Sequence, residues 1–257
     1  MLSYKEDARH HFSDERDCMK IAVIGGTGLL DAEILNDPQS ISVKTVYGEV
    51  ELLVSDDVYF LQRHAGKVPP HRLNHKAHLK AIQCVGVTHI IGVGSCGSLK
   101  KEIKPGEIVV PHDYIAFYDV TTFFDNELHF VAPGLSENLR QLILKVAKTM
   151  QMKVHDRGIY MQTKGPRFET AAEIRMFAKF ADILSMTLAH EITLARELNL
   201  EYAAICSIDN YANGIAETPV DPGQVMRTAQ SNQENVLRLV KAVIVELNQA
   251  ENGSRNL

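Results

Sequence analysis

The sequence predicts an α/β fold built on a central mixed β-sheet flanked by helices. Short apolar, β-branched runs alternate with segments of helical spacing, the pattern of strands and helices in alternation. Several of the runs are nearly continuous rather than alternating, as expected when both faces of a strand are covered. The chain has 257 residues, 45% of them hydrophobic and 23% charged, a composition that supports one sizeable core and not a disordered chain.

The elements follow in order. A polar leader, 1–19, gives way at 21–24 to a β-branched run closed by Gly25-Gly26-Thr27-Gly28, a buried strand entering a tight turn. Further strands are expected at 52–54, 59–61, 89–93, 108–110, 158–161, 183–186 and 202–208. Helical spacing occupies 74–84, 137–150, 171–180, 189–198 and 225–247. In the second helix Leu139, Leu142, Ile143, Val146 and Met150 recur at steps of three and four and form one apolar stripe. A single domain spans 20–248, with a polar tail at 249–257.

Several function classes are disfavoured at once. A net charge of −5 has the wrong sign for holding phosphate backbones by charge, so nucleic acid is not an expected partner. No run approaches the roughly 18 apolar residues of a membrane span, and the leader lacks the apolar core of a signal peptide. The four cysteines, Cys18, Cys84, Cys96 and Cys206, form no CxxC pair and are expected as free thiols in a cytoplasmic protein. His71, His75 and His78 have a spacing that one helical face could offer a metal, but no carboxylate or cysteine joins them; His190-Glu191 lacks the second histidine of HExxH. No metal is expected.

Three turns carry chemistry. Gly25-Gly26-Thr27-Gly28 and Gly94-Ser95-Cys96-Gly97 each end a strand in small residues, where backbone amides can approach an anion. The first lacks the third glycine of a dinucleotide fingerprint, since Asp31 occupies that place, and the lysine of a P-loop. Arg63-His64 leaves a third strand beside Gly66 and Pro69-Pro70, a cation and an imidazole where loops carry function.

Together IGGTG, RHAGKVPPHRLNHKAH, GSCGSLKKEIKPGEIVVP, GPRFET, SMT and DNYANG resemble, in order and spacing, the family of 5'-methylthioadenosine phosphorylases and trimeric purine nucleoside phosphorylases. The likeness runs over residues 21–247. It implies a purine nucleoside phosphorylase-like fold with a partly barrel-like sheet, assembly as a homotrimer or hexamer, no organic cofactor, and inorganic phosphate as co-substrate. By position Thr27, Arg63, His64, Ser95 and Thr187 match the phosphate site. Phe168 and Met186 match residues packing on purine and ribose, and His64 and Asn210 match catalytic contacts. His129 resembles the histidine that one subunit lends to its neighbour's 5' pocket, which Pro222, Val225 and Met226 would complete.

Two positions bear on the base. Members acting on 6-aminopurines resemble one another in an aspartate at the N7 contact and a small hydroxyl residue after the GPRF phenylalanine; here Asn210 and Glu169 stand there. An ionised carboxylate only accepts, so Glu169 can take the N1–H of hypoxanthine or guanine but opposes the bare N1 of adenine. The expected substrates are therefore inosine, guanosine or 5'-methylthioinosine, with 5'-methylthioadenosine the alternative. Asp209, next to Asn210, has no role in this reading, and a register shift of one residue would return an aspartate to the base.

Overall fold

The computed structural model describes residues 19–27, 29, 34–117 and 121–254. The leader before Met19, Cys18 within it, Gly28, Asp31 and the last three residues of the tail lie outside these. The first elements of the described residues are β1 (Ile21–Gly25), β2 (Gln39–Thr45), β3 (Gly48–Ser55) and β4 (Val58–Gln62). There follow α1 (His75–Cys84), β5 (His89–Ser98), β6 (Ile108–Val109), β7 (Asp113–Ala116), α2 (Glu137–Thr149), β8 (Val154–His155) and β9 (Ile159–Gln162). The last third holds α3 (Ala171–Phe177), β10 (Ile183–Ser185), α4 (Leu188–Glu197), β11 (Glu201–Tyr211) and α5 (Pro222–Ser254).

The eleven strands of the described residues join in one mixed sheet. β1 lies parallel between β4 and β5, and β11 runs parallel along the whole of β5. β10 takes over from β1 at the far end of β5, antiparallel at Ser98 and Gly97, and continues the sheet to β9 and β7. β5 is thus the branch point. Among the described residues strand pairing alone does not close into a barrel, since β7 and β8 each have one partner there.

Alternate residues of the central strands feed two cores. Ala22, Ile24, Ile90 and Ala204 pack with α1 and α4, while Ile21, Val23, Ile91 and Ile205 pack with α2 and α5. The helices start where capping chemistry predicts. Asn74 and Ser136 accept the N–H of Ala77 and Leu139, and Thr170 with Glu173 forms a reciprocal capping box at α3. α5 begins at Pro222, whose missing N–H suits a first helical position. It runs 33 residues, about 50 Å, and so starts before the expected 225 and carries the polar tail onward as helix to Ser254.

Three strands escaped the sequence reading. β2 alternates partly buried Ile41 and Val43 with exposed polar residues at one end of the sheet; β7 and β8 have four and two residues, too short for periodicity.

Candidate active site

β1, β4, β5 and β11 run in the same direction. Their carboxyl ends open on one cavity of about 400 Å³, the usual position of a ligand crevice in such sheets. Thr27 comes from the turn after β1, Arg63 and His64 from that after β4, Ser95 from β5, Met186 and Thr187 from the turn after β10, and Asn210 from β11. Phe168 and Glu169 approach from the segment before α3, and Pro222, Val225 and Met226 from the first turns of α5. The structure brings together every residue expected at the site except His129. That residue stacks on Phe124 of its own chain with ring centroids 3.7 Å apart, and it does not line the cavity.

Arg63 is deeply committed within its own chain. Its Nε and Nη2 donate to the two carboxylate oxygens of Glu191 at 2.5 and 3.0 Å, Nη1 donates to Val93 O at 3.0 Å, and Nη2 reaches Ile24 O at 3.5 Å. Glu191 also accepts the Tyr202 hydroxyl at 2.7 Å. Burial opposes charge on both partners, raising the Glu191 pKa and lowering that of Arg63, but their mutual attraction outweighs it, so both remain ionised. The guanidinium also crowds Gly26, where a Cβ would stand 2.4 Å from Nη1. That contact explains a glycine at this turn.

His64 has a defined tautomer. A carbonyl only accepts, so the 2.8 Å contact with Val68 O makes Nδ1 the donor and leaves Nε2 as an acceptor. Burial, aided by the Arg63 charge, lowers the ring pKa, which favours the neutral form. Thr187 precedes α4 but makes no capping bond with its side chain. The first amides of that helix go instead to Tyr160 Oη, from Thr187 and Leu188 at 3.2 and 3.3 Å, and to Gln162 Oε1, from Ala189 at 3.0 Å. Thr187 therefore offers the cavity its hydroxyl.

A bulge settles the register of β11. Ile208 pairs with Cys96 and Asn210 with Gly97, which leaves Asp209 as the extra residue. Asn210 lines the cavity and Asp209 does not. Buried Asp209 accepts from Ser95 Oγ, from Ser207 Oγ at 2.9 Å and from Asn232 Nδ2 of α5 at 2.8 Å. It thus stands behind Ser95 and holds that hydroxyl by its proton, which leaves Ser95 Oγ as an acceptor.

Glu169 is buried at the cavity wall, and burial pushes its carboxyl above the usual range although the nearby Thr163 hydroxyl pulls the other way; the Thr163 proton itself goes to Ser185 O at 3.2 Å. Asn213 Nδ2 donates to its backbone carbonyl at 2.8 Å and fixes the segment. Sequence reading missed Lys67, Thr163 and Asn213 as lining residues; Asn213 lies inside the DNYANG motif, a signal that was present. The three histidines do not share one helical face. His71 belongs to the 3-10 turn Pro70–Arg72, and α1 starts only at His75. No metal-binding cluster occurs among the described residues.

Comparison with known proteins places this geometry. Residues 20–245 match the model of the phosphorylase superfamily. A probable 6-oxopurine nucleoside phosphorylase of Archaeoglobus fulgidus is 40% identical, the match covering 87% of this chain and 95% of the relative. An S-methyl-5'-thioadenosine phosphorylase of Pyrococcus furiosus is 36% identical over 89% and 93%. Among solved structures, methylthioadenosine phosphorylase from Schistosoma mansoni in complex with adenine superposes with a TM-score of 0.79 at 25% identity, covering 91% of this chain and 96% of that one. With the family's motifs at the mouth of one cavity and the match extending over nearly its whole length, this chain belongs to the phosphorylase superfamily.

Proposed function

We propose that the chain is a phosphate-dependent purine nucleoside phosphorylase acting on 6-oxopurine nucleosides. The observation that carries this is the buried Glu169 carboxylate beside Asn210 in the cavity, with Asp209 turned away behind Ser95. Glu169 accepts the N1–H of hypoxanthine or guanine. Asn210, whose Nδ2 donates to Tyr211 O at 2.9 Å, keeps a second N–H for N7 or O6 of the base.

Phosphate lies against Thr27, Arg63, His64, Ser95 and Thr187, with its P–OH toward the acceptor Ser95 Oγ, and the base lies against Phe168. Ribose sits over Met186 between them. A phosphate oxygen forms a bond to the anomeric carbon as the bond to N9 breaks, and the electron pair leaves with the base, which takes up a proton. The site's main task is to align a nucleophile that is already anionic, so neither an activating triad nor a metal or organic cofactor is required. The Asn210 hydrogen bond strengthens as negative charge grows on the base, which lowers the barrier selectively.

Val220, Pro222, Val225 and Met226 give the far end of the cavity an apolar wall, which suits a 5'-methylthio group and makes 5'-methylthioinosine a substrate beside inosine. Assembly as a trimer would let His129 reach a neighbour's 5' pocket. It sits between exposed Leu128 and Phe130, the kind of apolar surface an interface covers. The thiols Cys84, Cys96 and Cys206 are free, in keeping with a cytoplasmic setting. Release of base from inosine, guanosine, 5'-methylthioinosine, 5'-methylthioadenosine and adenosine, each with and without phosphate, tests the reading. Cleavage confined to 6-oxopurines and dependent on phosphate is the expected result; preference for 5'-methylthioadenosine refutes the base assignment.

A further inference from the structure

The charges around the cavity do not favour a dianion until one more residue is counted. Arg63 commits four of its five N–H groups to Glu191, Val93 O and Ile24 O. With Glu191 wholly buried against it, the pair presents no net charge. His64 donates its Nδ1 proton to Val68 and is neutral when Nε2 is free. Glu169 adds a carboxylate to the same wall. A phosphate entering beside these groups alone meets a surface of its own sign.

Lys67 reverses that balance. It lines the cavity on the loop that carries Arg63 and His64, and its amide donates to His64 O at 2.7 Å. No carboxylate pairs with its ammonium among the described residues. Its φ of 68° lies in the left-handed region where glycine is at ease and lysine is not. A strained backbone that keeps a long cation at the mouth of a site is a pattern associated with function.

We propose that Lys67 is a phosphate-binding residue of this enzyme beside Arg63, and that it supplies the uncompensated positive charge that draws the anion in, since the charge of Arg63 is balanced by its pair with Glu191. The inference rests on the phosphorylase reading. It is tested by steady-state kinetics in phosphate for the wild type, K67Q, K67G and K67R at low and high salt.

K67Q and K67G raise the KM for phosphate about tenfold, the equivalent of roughly 1.4 kcal/mol, while the KM for nucleoside holds. K67R recovers most of the loss. Salt raises the phosphate KM of the wild type and has less effect on K67Q. K67G suits the left-handed backbone, so a melting temperature at or above the wild-type value separates lost charge from lost fold. An unchanged phosphate KM in K67Q and K67G overturns the role of Lys67. Turnover by the wild type without phosphate overturns instead the phosphorylase reading on which it rests.

Discussion

Glu169→Gln isolates the charge of one group while keeping its size. The wild-type carboxylate is buried, and its segment is held in place through the Asn213 bond to its own backbone at 2.8 Å. A hydrogen bond from N1–H to such a charged acceptor is worth about 1.5–3 kcal/mol, so its weakening to an amide contact lowers kcat/KM for inosine by about 10- to 100-fold. The glutamine can also turn its NH2 toward N1 of adenine, so kcat/KM for adenosine holds or rises. The assay is initial-rate base release at saturating phosphate, read as the inosine-to-adenosine ratio. A ratio equal to the wild-type value would refute the assignment of Glu169 to N1.

The same residue sets a pH dependence whose sign is fixed. Burial raises its carboxyl above the ordinary 4.5, although the nearby Thr163 hydroxyl pulls the other way. Activity on inosine therefore declines as pH falls through the raised value, and E169Q lacks this acid limb. Stability moves oppositely. The native state binds this proton more tightly than the unfolded state, so its contribution rises as pH falls from neutral toward 4.5 and is lost as pH climbs through the folded pKa. Glu107, Glu137 and Glu173, each held at about 2 by hydrogen bonds from His155, Arg140 and Arg167, stay ionised throughout this window. A melting temperature that falls in parallel with activity there would assign the limb to unfolding.

Three further outcomes follow from the geometry. Glu191→Ala leaves the Arg63 guanidinium buried without its partner, a loss of about 3–5 kcal/mol; at 2–4 °C per kcal/mol for a domain of this size, scanning calorimetry shows a drop of about 6–20 °C, and a smaller drop means that water reaches Arg63. Asp209→Asn turns its NH2 toward Ser95, because the other carboxylate oxygen accepts from both Ser207 and Asn232 and an NH2 there would lose two bonds; the melting temperature falls, and the pH profile of the phosphate KM shifts because Ser95 changes from acceptor to donor. An unshifted profile separates Ser95 from phosphate binding. Glu169→Ser with Asn210→Asp moves preference toward 6-aminopurines in competition between inosine and adenosine, and an unmoved preference places the base elsewhere in the cavity.

What was legible in the sequence was local. An apolar run that ends in small or polar residues marks a strand and its exit turn without knowledge of the partner strand, and so the turns that hold Thr27, Arg63 and Ser95 could be located, whereas their phosphate role, and Thr187 altogether, came from the family resemblance. The helix starts at Asn74, Ser136 and Thr170 carry their caps beside them. What stayed hidden depends on contacts distant in the chain. Glu191 read as half of a failed zinc motif because the arginine that explains it lies 128 residues earlier. Asp209 had no role until a bulge and a partner 23 residues on gave it one. Lys67 stood inside a quoted motif, yet its importance appears only when Glu191 is seen to neutralise Arg63.

The bulge in β11 ties both ends of the reaction to one pair of peptide neighbours. On the proposed reading, Asn210 reaches the cavity where charge accumulates on the departing base, and Asp209, on the same buried strand, accepts the Ser95 proton at the phosphate end. β11 is paired along its length with β5, which itself supplies Ser95. Nucleophile and leaving group are thus referenced to a single parallel ladder in the middle of the sheet, where neither strand can slide without the other. Ladder partners hold such a distance far better than loops do, and phosphorolysis requires just that, since the anomeric carbon must be reached from one side as the base departs from the other. On the same reading the surrounding segments remain free to vary what each end admits: Lys67 on the phosphate side, Glu169 on the base side and the α5 wall at the 5' position.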